Sequence, residues 1–196
     1  MPRPSLKTQR SKEILDAYMT CVARFGLEGA TQERIAAEAG IKRPLLRHYL
    51  GNRDQMIAEL NAHVAESFNA LTTEFDMALT QIETSAQLIE ILFAEDKTID
   101  PRLMLAWQAL TASAGDHTEL SQQLLDSLSQ FLSVMERTLR RIAPEADAGR
   151  VRAVTQGISA AFQTLESVSP LKPPAIWRSE LKLAATLLTK TLERTE

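Results

Sequence analysis

The stretch of sequence that decides the fold is FGLEGATQERIAAEAGIKRPLLRHYLGNRDQM, residues 25–56. It predicts two short helices joined by a glycine turn. Thr31 can cap a helix over residues 32–39, because its hydroxyl can accept a hydrogen bond from a backbone N–H left free at a helix start. Gly40 stands where that helix must end and where the chain needs a positive φ. A second helix starts around residues 43–44, since proline is tolerated in a first turn.

Apolar spacing predicts a third helix in front of this pair. The segment 12–25 carries apolar side chains at helical spacing, namely Ile14, Tyr18, Val22 and Phe25. Contacts within the pair are expected from Ile35, Ala36, Ile41 and Leu46. Three helices of this kind are the sequence form of a helix-turn-helix, whose second helix enters the DNA major groove.

The charge distribution supports a nucleic-acid partner, although the whole chain has a formal charge of only −3. Residues 1–53 carry ten Lys or Arg and five Asp or Glu, a net charge of +5. Residues 54–196 carry twelve and twenty, a net charge of −8. The basic segment includes an N-terminal arm, residues 1–10, with Arg3, Lys7 and Arg10, which can contact DNA or form a disordered tail. A basic N-terminal region on an acidic body is typical of a protein that docks on phosphates at one end.

The same block resembles the DNA-binding domain of the TetR family of bacterial transcriptional regulators. The matching residues are Phe25, Gly26, Gly29, Thr31, Ile35, Ala36, Ala39, Gly40, Ile41, Leu46, Tyr49, Arg53 and Met56. The resemblance implies a homodimeric repressor that a small molecule releases from double-stranded operator DNA. Three positions depart from the family pattern: Lys42 replaces a capping Ser or Thr, Arg47 a tyrosine, and Arg53 a lysine. Each is basic, so phosphate contacts are retained as an expectation.

Ten residues are predicted to contact DNA. Arg43, near the start of the second helix, is best placed to reach base edges, and Leu45 could touch a thymine methyl. Lys42, Arg47 and Arg53 are expected at phosphates, and Tyr49 is either groove-facing or partly core. The full predicted set is Thr31, Gln32, Lys42, Arg43, Pro44, Leu45, Arg47, His48, Tyr49 and Arg53.

The body, residues 54–196, is predicted to be entirely helical and to bind an effector and dimerise, which makes the fold class all-α. Helices are expected over 54–80, after a capping box formed by Thr84 and Gln87, from Pro101, from near Asp116 to Ile142, and over 145–168 and 175–194. The last two are expected to build a four-helix bundle with a second copy, unless both stripes pack within one monomer. The predicted interface residues are Ala153, Gly157, Ala161, Trp177, Leu181, Ala184 and Leu188.

An effector pocket is the remaining prediction for the body. Apolar and aromatic side chains with a few polar groups typically line such cavities, and the same residues would otherwise be ordinary core. The predicted set is Phe93, Met104, Trp107, Gln108, Phe162, Gln163 and Glu166. The chemical identity of the effector does not follow from these residues.

Other function classes are less compatible with the sequence. Glu59, His63 and Glu66 share one helix face and could hold a metal, but a di-iron bundle needs a second Glu-x-x-His, which the chain lacks. No catalytic set, metal site or cofactor is therefore predicted. The lone cysteine, Cys21, is expected to be a buried small hydrophobe. With no secretory signal and no membrane span, the protein is expected to be cytoplasmic. A helical ligand-binding or protein-interaction module without DNA binding is the alternative, and repressor and activator are indistinguishable here.

Overall fold

The structure, a computed structural model, describes residues 6–95, 99–116 and 118–193, with the backbone alone at 6, 116, 118 and 119. The described residues form nine α-helices and no β-strand, so the all-α prediction is confirmed. They are α1 (Leu6–Gly29), α2 (Gln32–Glu38), α3 (Arg43–Leu50), α4 (Arg53–Leu79), α5 (Ser85–Leu92), α6 (Pro101–Ser113), α7 (Thr118–Ile142), α8 (Ala148–Val168) and α9 (Ile176–Lys190). Short 3-10 turns follow α6 and α8.

Most predicted helix boundaries are confirmed within one or two residues, and three helices differ. Helix α1 is longer than residues 12–25 at both ends and contains a kink at Gly26, whose φ is 72°. Helix α8 begins after the predicted residue 145, because the Asp147 carboxylate caps it by accepting a hydrogen bond from the Arg150 N–H at 2.9 Å. Helix α9 ends at Lys190, before the predicted end at 194, which lies outside the described residues. Of the predicted N-terminal arm, Lys7 and Arg10 belong to α1, and Arg3 is outside the described residues.

The chain groups into two compact units. The first comprises Met1–Phe68 and Arg102–Ser127, and the second comprises Asn69–Pro101 and Leu128–Glu196. Helices α4 and α7 contribute residues to both units. The functional division at residue 53 stays a prediction, because compactness does not test function.

The core of the first unit includes the helix-turn-helix. Ile14 of α1, Ile35 of α2, and Leu46 of α3 are fully buried. Tyr18 is also buried, and loss of solvent raises the pKa of its phenol to about 12. Cys21 is a free, buried thiol as predicted, and burial raises its pKa above the ordinary value.

The core of the second unit is built from α5, α8, α9 and the C-terminal parts of α4 and α7. Four phenylalanines form a continuous aromatic cluster with ring centroids 5.7–6.1 Å apart: Phe75, Phe131 and Phe162 on three helices, and Phe93 at the C-cap of α5. Helices α8 and α9 approach closely at Gly157, where a Cβ would lie 2.7 Å from the Leu188 side chain of the same chain. Part of the small-residue stripe of α8 therefore serves packing within one protomer.

Candidate nucleic-acid interface

The α2–turn–α3 segment has the predicted geometry. The Thr31 hydroxyl caps α2 by accepting a hydrogen bond from the Arg34 N–H at 3.4 Å. Gly40 has a φ of 62°, which confirms the positive φ expected at the turn. The Ile41 N–H then donates to the Ala36 carbonyl at 2.9 Å, closing the end of α2. These contacts set the direction in which α3 leaves the turn.

An arginine that the sequence analysis did not select anchors α2 to α1. The Arg34 Nη1 donates to the Gly29 carbonyl at 2.6 Å, and its guanidinium lies 4.3 Å from the centroid of the Phe25 ring. This cation–π contact and hydrogen bond position the helix-turn-helix on the end of α1. A single Phe and Arg nine residues apart give no sequence pattern that would have indicated the pair.

Helix α3 has one buried side and one side exposed to solvent. Leu46 and Leu50 face the core, whereas the polar and basic residues of α3 are exposed. The exposed members of the predicted set are Lys42, Arg43, Pro44, Leu45, Arg47 and His48. Tyr49 is half-buried and contacts His48 edge-on, with ring centroids 5.3 Å apart. The exposed side thus carries Lys42, Arg43 and Arg47, three of the four Lys or Arg residues predicted to contact DNA, together with Leu45.

Arg43 is held by two residues in the first turn of α2. Its Nη1 lies 2.6 Å from the Glu33 carboxylate, and its Nε–H donates to the Gln32 side-chain oxygen at 3.2 Å. The pKa of Glu33 is lowered, chiefly by a hydrogen bond from its own backbone N–H, so its carboxylate is charged at neutral pH. The predicted site does not include Glu33. The only sequence feature that could have indicated this contact is the pair of opposite charges, Glu33 and Arg43, ten residues apart across the turn.

Arg53, at the first residue of α4, is also engaged within the protein. Its Nη2 lies 2.9 Å from the Glu28 carboxylate and 3.4 Å from the Leu27 carbonyl. The turn before it depends on Gly51, whose φ of 80° and ψ of −147° are essentially limited to glycine. Asn52 and Gln55 then form a reciprocal cap, each side-chain oxygen accepting from the other's backbone N–H at 2.9 Å. This turn positions the predicted phosphate contact relative to α3.

The predicted effector residues are distributed over both units. In the first unit Met104 is buried and Trp107 contacts Phe68 edge-on at 4.7 Å, with half-buried Gln108 on the next position of α6. In the second unit the Phe93 and Phe162 rings are in contact, and the Gln163 amide donates to the Ser159 hydroxyl at 2.9 Å. Glu166 is buried, and desolvation raises the pKa of its carboxyl despite the nearby Arg178.

The predicted dimer residues differ in their exposure. Trp177, Ala153 and Ala184 are exposed to solvent, whereas Gly157, Ala161, Leu181 and Leu188 are partly buried, the last three packed against the core of the second unit. Three further apolar side chains of α9 are exposed and were not selected from the sequence, namely Ile176, Leu183 and Leu187. Their spacing of seven and four residues puts them on one side of the helix.

The suggested metal face on α4 gains no support. Glu66 pairs with Lys12 at 3.8 Å, and burial lowers the pKa of His63. Within the part of the chain that the structure describes, no three His, Cys, Asp or Glu side chains are grouped to hold a metal ion. Among those same residues, no helix is both long and apolar enough to span a bilayer.

Comparison with known proteins identifies related regulators. No protein-family model matches the chain. The helix-turn-helix transcriptional regulator BetI of Rhizobium meliloti is 26% identical over 152 residues, covering 77% of this chain and 74% of that protein. A protein described as a TetR-family transcriptional regulator from Mesorhizobium loti has the same fold, with a TM-score of 0.73, 13% identity, and coverage of 96% and 97% of the two chains. The transcriptional regulator FadR of Bacillus subtilis, solved in complex with stearoyl-CoA, gives a TM-score of 0.67 at 17% identity over 92% and 96%.

These relatives are transcriptional regulators rather than enzymes. The sequence similarity and the shared fold confirm the resemblance drawn from residues 25–56. Together they show that the chain is similar in sequence to helix-turn-helix transcriptional regulators and shares the fold of a TetR-family regulator.

Proposed function

We propose that the chain is a homodimeric repressor that binds a pseudo-palindromic operator and is released from it by a small molecule. The observation that carries this proposal is the exposed side of α3, where Arg43, Leu45, Arg47 and His48 face solvent while Leu46 and Leu50 anchor the helix. An exposed, basic helix on a rigid three-helix core is what major-groove recognition requires.

The roles of the basic residues follow from their places on the helix. Arg43 lies in the first turn of α3, the part of a recognition helix that reaches base edges, and arginine bonds guanine O6 and N7 well. Lys42, Arg47 and Arg53 lie before, along and after the helix, where they can contact phosphates on both sides of the groove. Arg53 must exchange its contact with Glu28 for a phosphate oxygen.

The proposed partner at the exposed side of α9 is a second copy of this chain. Ile176, Leu183 and Leu187 form an apolar side that remains exposed among the described residues. Ala153 and Ala160 of neighbouring α8 are small and exposed, so a partner helix can approach closely. Two-fold pairing of α8 and α9 would form a four-helix bundle and would place two α3 helices on one operator. The two half-sites would then lie about one helical turn of DNA apart, or a multiple of it.

The proposed effector site lies in the helical body. Support comes from two buried polar groups on α8: Glu166 lies one turn beyond Phe162, and the Thr155 hydroxyl has no hydrogen-bond partner among the described residues. FadR of Bacillus subtilis, which has the same fold, was solved in complex with stearoyl-CoA, and this supports the proposal of a small-molecule site. A ligand that prefers one conformation would lower operator affinity only by its differential affinity for the two states.

The test compares Arg43→Ala with Arg47→Ala in fluorescence anisotropy across a salt series. Arg47→Ala should weaken binding to every duplex and reduce the slope of log K against log salt by about 0.9, as expected for one lost phosphate contact. Arg43→Ala should instead relax preference at particular base pairs, by about 5- to 150-fold in discrimination. Unchanged affinity and salt slope for Arg47→Ala would contradict its assignment to a phosphate.

A further inference from the structure

The Arg43 guanidinium contacts two side chains of α2. Two of its three guanidinium nitrogens are already engaged by α2, Nη1 by Glu33 at 2.6 Å and Nε by Gln32 at 3.2 Å. Both partners belong to the first turn of α2, whose position is set by the Thr31 cap and by the buried Ile35. These two contacts therefore favour one orientation of the guanidinium over the others that its rotamers allow.

This network has little to do with folding stability. The Arg43 and Glu33 side chains are 62% and 61% exposed, and ion pairs between such exposed side chains contribute little to stability. The network instead affects the orientation of the Arg43 guanidinium. A free arginine at this place can bond either a phosphate or a base edge, and a phosphate contact carries no sequence information.

We propose that Glu33 is a specificity-determining residue, a positioning residue that acts through Arg43 by holding its guanidinium toward the base edges and away from the phosphates. The proposal rests on the base-reading role given to Arg43 under the proposed function. Glu33 also brings a negative charge to the side of the protein that faces DNA. On an arbitrary sequence this charge opposes binding. On the operator, guanine O6 and N7 accept hydrogen bonds from the oriented guanidinium and offset that repulsion.

Glu33→Gln isolates the charge, because the amide keeps the length of the side chain and an oxygen acceptor for Arg43. We expect this variant to bind a random-sequence duplex about 3- to 10-fold more tightly near 0.1 M salt, with a salt slope steeper by about 0.9. Its preference at the base pair read by Arg43 should fall by about 5-fold or more. Thermal unfolding should be nearly unchanged, since the pair is exposed.

Glu38→Gln is the matched control. Glu38 is the last residue of the same helix and pairs with Arg24 at 3.7 Å, so the substitution makes the same change in net charge without touching Arg43. We expect it to leave base preference unchanged and to alter random-duplex affinity by less than Glu33→Gln does.

The experiment first selects the preferred sequence of the wild-type protein from a library of random duplexes. Binding affinity is then measured on the selected duplex, on its single-base variants and on one random duplex. The proteins compared are the wild type, Arg43→Ala, Glu33→Gln, Glu38→Gln and the Arg43→Ala/Glu33→Gln double variant. Loss of preference by Glu33→Gln at the position that Arg43→Ala relaxes, with no further loss in the double variant, supports the inference. If Arg43→Ala relaxes a position and Glu33→Gln leaves it intact, the inference is wrong and the proposed function stands. If Arg43→Ala relaxes no position, the base-reading role fails and the inference falls with it.

Discussion

The exposed apolar side of α9 makes dimerisation the most quantifiable prediction. Leu183 and Leu187 are 57% and 54% exposed in the single chain and lie four residues apart on one side of the helix. The double substitution Leu183→Glu/Leu187→Glu replaces both with carboxylates. In a two-fold interface each carboxylate would be desolvated and would approach its symmetry mate, so the dimer should dissociate.

The size of the effect can be worked from these exposures. Full burial of a leucine contributes about 1.5–3 kcal/mol, and roughly half of each side chain remains to be buried on dimerisation. Two leucines on each of two protomers therefore amount to roughly 3–6 kcal/mol. That is about 10²- to 10⁴-fold in the dimer dissociation constant, before any cost of desolvating charge.

Sedimentation velocity over a range of protein concentrations measures this constant directly. Leu125→Glu is the matched control, because Leu125 is also 54% exposed but lies on α7. The double variant should sediment as a monomer at concentrations where the wild type and the control are dimers, and its operator affinity should fall with its dimerisation. A double variant that dimerises as tightly as the wild type would refute the interface on α9.

Two further predictions concern the fold. Gly51→Ala should lower the free energy of unfolding by roughly 2–4 kcal/mol, because alanine is strained at this φ and ψ and its Cβ would displace the Gln55 side chain from its cap. Gly40 also has a positive φ, but the space around its Cβ position is open, so Gly40→Ala should cost only about 1 kcal/mol. Urea unfolding measures both values. Glu166→Gln should stabilise the protein at pH 7: the folded-state pKa of Glu166 is raised by burial, so the folded state holds its proton longer than the unfolded chain and stability falls as pH rises through that window. The advantage of the variant in urea unfolding should shrink as the pH drops below the ordinary glutamate pKa, and an advantage independent of pH would contradict the assignment.

Local signals in the sequence were sufficient where the structure depends on neighbouring residues. The capping box of α5 is an example, since Thr84 and Gln87 each satisfy a backbone N–H of the other within one turn. The positive φ at Gly40 is another, because only the end of α2 and the start of α3 determine it. Asp147 shows the limit of such signals: the predicted helix start at residue 145 overlooked a capping side chain two residues later.

Contacts between distant segments could not be predicted from spacing. Helix α9 has apolar residues on two sides, one through Leu181 and Leu188 and the other through Leu183 and Leu187. Helical periodicity fits both sides, and only packing against α8 and the core of the second unit decides which one is buried. The selected interface set therefore mixes residues that pack within the protomer with residues that stay exposed.

The recognition surface was predictable in its members but not in its internal contacts. Placing Arg43 and Arg47 on the exposed side of α3 required only helical periodicity and a buried Leu46. The contact of Arg43 with Glu33 depends on the angle between α2 and α3, which no spacing rule supplies. The same holds for Arg53 and Glu28, which meet across 25 positions of chain.

The most direct test of the central claim is fluorescence anisotropy of the purified protein on a duplex from immediately upstream of its own gene, with a scrambled duplex as the comparison. The salt concentration is varied over about 0.05–0.2 M, the range in which phosphate contacts change affinity steeply. We predict tight binding that prefers the upstream duplex and weakens steeply with salt, with two protomers per duplex. Equal, weak binding to the two duplexes would place the operator elsewhere. No binding at the lowest salt, by protein freed of any bound small molecule through unfolding and refolding, would contradict the claim that α3 is a DNA-recognition helix.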